Sequence, residues 1–203
     1  MPLSKRLFDL VFSALALVVL SPVLLATAVL VRLFLGSPAL FKQKRPGYKG
    51  RPFLIYKFRT MREGTAADGR PLPDAERLTR FGRILRSFSL DELPELFNIL
   101  RGEMSFVGPR PLLMEYLPLY SPEQARRHDM VPGLTGWAQV HGRNDLDWAS
   151  RFKLDVWYVD NWSFWLDIKI ILMSVWKTLS REGVNQRGQA TVEYFKGNDN
   201  LES

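Results

Sequence analysis

The chain carries no charged residue from Leu10 to Val31, and at the centre of that run stands Ser21-Pro22. The run is 22 residues long, which as an α-helix spans about 33 Å, the thickness of a bilayer's hydrocarbon core. A proline inside such a segment has no N–H and frees the carbonyl about four residues upstream, and in lipid an unmet backbone group is costly. Ser21 is a local donor for it. Positive charge marks the cytoplasmic flank of a membrane helix. Here Lys5 and Arg6 stand before the run, and Arg32, Lys42, Lys44 and Arg45 stand after it. A re-entrant helix that enters, turns at Ser21-Pro22 and leaves by the same face satisfies the charges, the proline and the serine together. A kinked spanning helix is the alternative, because prolines are tolerated in membrane helices. A cleaved signal peptide is disfavoured. Ala26-Thr27-Ala28 has the small-x-small pattern, but the apolar run continues to Leu35, beyond the about 7–15 residues of a signal core.

The rest of the chain suits one catalytic domain, since 203 residues allow a single core plus an appendage. Lys and Arg outnumber Asp and Glu by 28 to 21, a surplus that fits an anionic partner such as phosphate, nucleic acid or a lipid headgroup. There is no cysteine, and His128 and His141 lack zinc-type spacing, so thiol and zinc chemistry are excluded. Residues 38–61, PALFKQKRPGYKGRPFLIYKFRTM, read as two short strands around a Pro-Gly…Gly turn, with cations interleaved among aromatics. The stretch from Arg62 to Asp74 holds Gly64, Gly69, Pro71 and Pro73, shows no periodicity and reads as a loop.

The chemistry is concentrated in residues 80–111, RFGRILRSFSLDELPELFNILRGEMSFVGPRP. Adjacent Asp91 and Glu92 lie between Arg80, Arg83 and Arg86 on one side and Arg101 and Arg110 on the other. A structural explanation competes with a catalytic one. Ser89-Leu90-Asp91-Glu92 fits a capping box with acids favoured by the helix dipole. Pro94 unsettles that register, because proline prefers the first helical position. In either register the carboxylates lie at a helix start, where backbone N–H groups also attract phosphate.

Four segments now stand out in order: YKFRTM (56–61), SLDELPELFNILRGEMSFVGPRP (89–111), PGLTGWAQVHGRN (132–144) and LDVWYVDNWSFWLDIKII (154–171). Together they make the chain resemble the monotopic phosphoglycosyl transferases, also called bacterial sugar transferases, almost end to end and at the length of the small members. His141 departs from the pattern, which has Asn there. The resemblance implies transfer of a sugar phosphate from a UDP-sugar to polyprenol (undecaprenyl) phosphate, with release of UMP. It implies Asp91 as a nucleophile that forms an aspartyl-phosphosugar, and Glu92 as a catalytic partner and Mg²⁺ ligand. It further implies Arg86, Arg110, Lys57 and Arg143 as the substrate-binding cations. The helix broken at Ser21-Pro22 is implied to be re-entrant, on the cytosolic face of the bacterial inner membrane. The tail REGVNQRGQATVEYFKG resembles members acting on N-acetylated, bacillosamine-type UDP-sugars.

Residues 157–179 suggest one amphipathic helix, with Trp162, Trp165, Ile168, Leu172, Val175 and Leu179 near helical spacing. Tryptophans at that density suit a headgroup boundary, which reads as an interfacial helix, with an ordinary core helix as the alternative for part of it. Asp155 and Asp160 remain unassigned between metal and ion pair. The expected fold is α+β, a mostly helical membrane-interface domain with a re-entrant helix-break-helix, a short β-hairpin and amphipathic interfacial helices. Residues 1–36 form the membrane segment and 37–203 the cytosolic catalytic domain. A nucleic-acid binder lacks any helix-turn-helix, zinc-finger or RRM-type motif, so no nucleic-acid partner is expected. A non-catalytic scaffold gives no reason for Asp91-Glu92 among arginines, and there is no P-loop or G-x-G-x-x-G for a nucleotide hydrolase. The sequence carries no signature of oligomeric state.

Overall fold

A computed structural model describes residues 1–65, 70, 72–142, 146–180 and 194–198. Helices α1 (Leu3–Val19) and α2 (Ser21–Leu35) meet at a bend of 63°. The Ser21 hydroxyl donates to the Val18 carbonyl at 2.7 Å. That carbonyl is the one an amide at position 22 would have bonded, so the serine satisfies the group that Pro22 leaves open. No described helix is by itself long and apolar enough to cross a membrane, whereas the bent pair is so together. Leu7, Val11, Val18, Leu25 and Leu33 along it are all more than half exposed. An apolar face of that extent marks a membrane or a large partner.

Both arms are fastened to the rest of the protein. Buried Lys5 donates to Asp167 Oδ2 at 2.6 Å. The Tyr158 hydroxyl donates to the other oxygen of Asp167 at 2.7 Å, and Trp162 Nε1 donates to Oδ2 at 3.1 Å. Arg6 donates to the Ile99 and Leu100 carbonyls, both at 2.8 Å. On the other arm Val31 and Leu35 share a core with Phe58 and Leu85.

The expected hairpin forms from β1 (Leu40–Pro46) and β2 (Pro52–Phe58), antiparallel with Leu40 opposite Phe58 and Pro46 opposite Pro52. Two short helices follow, α3 (Asp74–Arg77) and α4 (Arg80–Ser87), then α5 (Glu95–Arg101). Part of the loop read over 62–74 lies outside the described residues. Ile55 of β2 packs with Leu96, Ile99 and Met104. Asn98 of α5 stitches the same elements together: its amide donates to the Leu54 carbonyl at 2.7 Å, and its oxygen accepts from the Tyr56 N–H at 3.1 Å.

Strand β3 (Ser105–Val107) pairs in parallel with β4 (Gly133–Thr135). A Cβ on Gly133 would lie 2.0 Å from the Gly108 nitrogen, so only glycine allows this approach. Between these strands runs α6 (Pro122–Ala125), and after them come α7 (Trp137–His141), α8 (Trp148–Asp160) and α9 (Phe164–Leu179).

The fold is α+β and mostly helical, as expected, but the single helix expected over 157–179 is two. The Asn161 N–H bonds the Trp157 carbonyl to end α8, and the Ser163 hydroxyl accepts from the Leu166 N–H to start α9. Trp162 therefore leaves the apolar stripe and turns to Asp167. On α9 the exposed stripe consists of Trp165, Leu172, Val175 and Trp176, each more than half exposed.

The Lys5–Asp167 pair predicts a measurable asymmetry. Asp167→Ala strands a buried ammonium and should cost about 3–5 kcal/mol, whereas Lys5→Met with Asp167→Leu should recover part of that loss. Unfolding in detergent reads both. Equal melting points for wild type and Asp167→Ala would remove the clamp.

Candidate active site

Four parts of the chain converge on Asp91 and Glu92. Strand β2 supplies Lys57 and leads to Thr60. Helix α4 supplies Arg86, whose Nε donates to Thr60 Oγ1 at 3.1 Å. The helix lies directly on that segment, because Gly82 faces the Thr60 carbonyl where a Cβ would stand 1.9 Å away. The loop after β3 supplies Arg110, and α5 supplies Glu95.

The capping box expected at Ser89–Glu92 does not form. Ser89 has φ 54° and ψ 23°, in the left-handed region, and its side chain caps nothing. Leu90–Glu92 make a single 3₁₀ turn, and Pro94 stands just before α5. The left-handed serine reverses the chain between α4 and α5, at a backbone cost of about 1–2 kcal/mol. Strain of this kind collects at functional sites.

Glu92 Oε1 accepts from Lys57 Nζ at 2.7 Å and from an Arg110 nitrogen at 2.6 Å. Burial opposes its ionisation, but Arg110 and Lys57 prevail and hold its carboxyl well below the usual value. Lys57 is itself raised: burial works against its charge, and Glu92 and Glu95 outweigh it. Asp91 goes the other way. Burial first, and then the charge of Glu92, raise it against the pull of Lys57, Arg86 and Arg110. Among the described residues no side chain hydrogen-bonds the Asp91 carboxylate.

Glu95 was not legible as a site residue. It is 2% exposed, and Lys57 Nζ lies 3.1 Å from its Oε1. That approach lacks hydrogen-bond geometry, so the oxygen is buried and unsatisfied. Burial, opposed by Lys57 and reinforced by Glu92, pushes its carboxyl up to about 7.

Arg110 is held from behind. Buried Arg127 donates to the Arg110 carbonyl at 2.7 Å and to Asp155 Oδ2 at 2.7 and 3.1 Å. Asp155 is thereby an ion-pair residue, and Asp160 pairs with Arg126. Arg143 lies outside the described residues. No group of three His, Cys, Asp or Glu gathers as a metal cage among the described residues. Mg²⁺ needs less, since it keeps waters and takes substrate phosphates with one or two carboxylates. Glu92, ionised, oxygen-bearing and 16% exposed at its side chain, fits as that single donor.

Residues 2–181 match the bacterial sugar transferase family. The chain belongs to that family. It is 54% identical over 199 residues to the sugar transferase EpsL of Bacillus subtilis, covering 98% of each chain. It is 44% identical over 185 residues to a UDP-glucose:undecaprenyl-phosphate glucose-1-phosphate transferase of Caulobacter vibrioides, covering 85% of this chain and 68% of that one. It is 39% identical over 198 residues to an undecaprenyl-phosphate galactose phosphotransferase of Salmonella typhimurium, covering 88% of this chain but 41% of that longer protein. The family member is thus an enzyme of the phosphoglycosyl transferase class. Of the cations expected at the site, Lys57, Arg86 and Arg110 are brought to the two acids.

Because Asp91 caps no helix and is buried at a cost, Asp91→Asn should fold with equal or higher thermal stability and lose turnover. Near-normal turnover in folded Asp91→Asn would remove its chemical role.

Glu95 predicts a pH effect. Its carboxyl is raised on folding, so the folded state holds a proton that the unfolded state releases, and stability falls as pH rises from about 4.5 to 7. Across that window wild type should lose on the order of 3 kcal/mol relative to Glu95→Gln. Parallel unfolding profiles for the two proteins would contradict this.

Proposed function

We propose that this enzyme moves a sugar 1-phosphate from a UDP-sugar to polyprenol (undecaprenyl) phosphate through a covalent intermediate on Asp91. The observation that carries the proposal is a buried carboxylate that no side chain among the described residues hydrogen-bonds, set among Lys57, Arg86 and Arg110. An Asp91 oxygen attacks the phosphorus next to the sugar, the bond to the nucleotide phosphate breaks, and its electron pair leaves with UMP. A phosphate oxygen of the lipid then attacks the same phosphorus and frees Asp91. The products are polyprenyl-diphosphate-sugar and UMP, and splitting the transfer lets each substrate bind in turn. Raising the pKa of Asp91 makes it a more basic nucleophile than an ordinary carboxylate.

Arg86 would hold the attacked phosphate, since its planar fork suits two phosphate oxygens at once. Lys57 and Arg110 keep Glu92 ionised and screen the phosphates' charge from the nucleophile. Glu92 would hold Mg²⁺, which when bound neutralises phosphate and departing charge. The bent α1–α2 pair supports a re-entrant topology at the cytosolic face of a bacterial cytoplasmic membrane, with the Trp165–Trp176 stripe lying at the headgroups. An active site at that boundary meets a lipid acceptor and a water-soluble donor without moving either from its phase.

The Caulobacter and Salmonella relatives are named for glucose and galactose. The tail that resembles N-acetyl-sugar members lies mostly outside the described residues, so donors of both kinds belong in the test. Enzyme given UDP-glucose, UDP-galactose or an N-acetylated UDP-sugar with Mg²⁺, but no lipid, should release about one UMP per site from the competent donor and gain a sugar phosphate at Asp91. A competent donor that yields UMP only after polyprenol phosphate is added, with no adduct, would leave the transferase and sink the covalent step.

A further inference from the structure

Phe195 lies well beyond the end of α9 in sequence, yet it is 3% exposed and shares a core with Leu112, Tyr116 and Phe152. Its ring meets four others. The centroids lie 5.7 Å from Tyr116, 6.0 Å from Tyr120, 5.6 Å from Trp148 and 5.0 Å from Phe152. Trp148 and Phe152 stand one turn apart on α8 and share a face of it, whereas Tyr116 and Tyr120 belong to the segment that follows Arg110. A second tie lies just past the ring. Asn198 accepts from Gln124 Nε2 at 2.6 Å and donates to the Leu119 carbonyl at 3.1 Å. Residues 194–198 therefore fasten α8 to the stretch between Arg110 and α6.

That junction borders the support of the active site. The Arg127 guanidinium carbon lies 5.9 Å from the ring centroids of both Tyr120 and Phe152, two of the four rings against Phe195. At that range an aromatic face attracts a guanidinium. Arg127 is buried and donates to Asp155, one turn after Phe152 on α8, and to the Arg110 carbonyl. Leu112, in the same core as Phe195, stands two residues past Arg110. Arg110 in turn donates to Glu92 at 2.6 Å. The contacts thus run without a gap from the tail to the acids.

A close-packed interior passes displacement along such a path, because rings that lose a neighbour shift into the space it leaves. Tyr120 and Phe152 are the rings that would shift, and both hold Arg127. We propose that Phe195 is a positioning residue for the reaction: it fixes the rings around Arg127, and through Arg127 it fixes Arg110 at Glu92. The proposal uses the placement of Arg110 in the site and needs no particular donor.

Two readouts on the full chain in lipid nanodiscs test it. In the resting enzyme, Phe195→Ala should raise amide hydrogen exchange over residues 108–113 and 126–129 by about tenfold, a local opening short of global unfolding, and leave the β1–β2 hairpin unchanged. Phe195→Leu should recover part of the protection. In turnover, Phe195→Ala should cost on the order of tenfold to a hundredfold in kcat/KM, but less than about twofold when added to Arg110→Gln, since residues acting through one group are not additive. Asn198→Ala leaves the aromatic core intact and should shift the same residues in the same direction, so a Phe195→Ala chain that fails to fold does not end the test. Unchanged exchange over 108–113 in folded Phe195 and Asn198 variants would overturn the assignment. Losses that multiply with Arg110→Gln would also do so, since they would mark Phe195 as packing alone. Failure of the donor reading looks different: wild type would release UMP from no UDP-sugar, and the exchange result would still decide the role of Phe195.

Discussion

Two adjacent carboxylates cannot enter a partly buried site unless cations come with them, and in this protein that requirement organises the chain around Asp91 and Glu92. Lys57 lies 35 residues before Glu92 and Arg110 lies 18 after it, and both bond the same oxygen. Neither contact survives without its scaffold. Asn98 ties α5 to β2 and so sets the approach of Lys57. The β3–β4 pair and the Arg127–Asp155 bridge set the approach of Arg110. Removing one partner of such a buried group costs more than the pair contributes, since the remaining charge stays desolvated. The site is therefore also a folding constraint.

The apolar bent helix is joined to this arrangement at its charged beginning. Arg6 caps the last carbonyls of α5, the helix that opens just after the two acids, and Lys5 buries its ammonium against Asp167 on α9. Each bond uses a cation that also suits the water-facing end of a membrane segment. The arms of the bend share cores with the catalytic elements: Ala16, Leu17 and Leu20 with Ile55 and Leu96, and Val31 and Leu35 with Phe58 and Leu85. On the proposed re-entrant topology, depth in the bilayer and the position of the acids are one geometric variable.

Much of this was legible because the signals were local. Ser21-Pro22 in an uncharged run announces a bend with its own hydrogen-bond repair, and alternating cations and aromatics around Pro46-Gly47 announce the hairpin. Asp91-Glu92 among arginines announces the site, while the assembly of Lys57, Arg86 and Arg110 came from family resemblance rather than spacing. What escaped was tertiary. Glu95 sits four residues after Asp91 in what looks like an ordinary helix start, and only the arrival of Lys57 makes it a third acid of the site. The pattern Ser89–Glu92 has the letters of a capping box, but chain reversal between α4 and α5 puts Ser89 in a conformation that cannot cap. At 161–163 the break signals were present in Asn161 and Ser163, and the tryptophan density around them concealed a helix end.

The opposite pKa directions of Asp91 and Glu92 carry the chemical logic furthest. Side by side in sequence, they share one electrostatic neighbourhood, yet among the described residues the side-chain hydrogen bonds fall on Glu92 alone. Glu92, saturated by Lys57 and Arg110, is a poor base and a poor nucleophile, but a dependable negative charge for a hard cation. Asp91, desolvated and without a side-chain hydrogen bond among the described residues, keeps its lone pairs available and is destabilised by its neighbour's charge. In the proposed covalent mechanism, bonding to an electrophilic phosphorus would relieve that destabilisation by removing the charge, so the ground state is raised where the intermediate is not. The same cations therefore serve two ends through one asymmetry in who receives the hydrogen bonds, and a shift of Lys57 or Arg110 from Glu92 to Asp91 would reverse the division of labour.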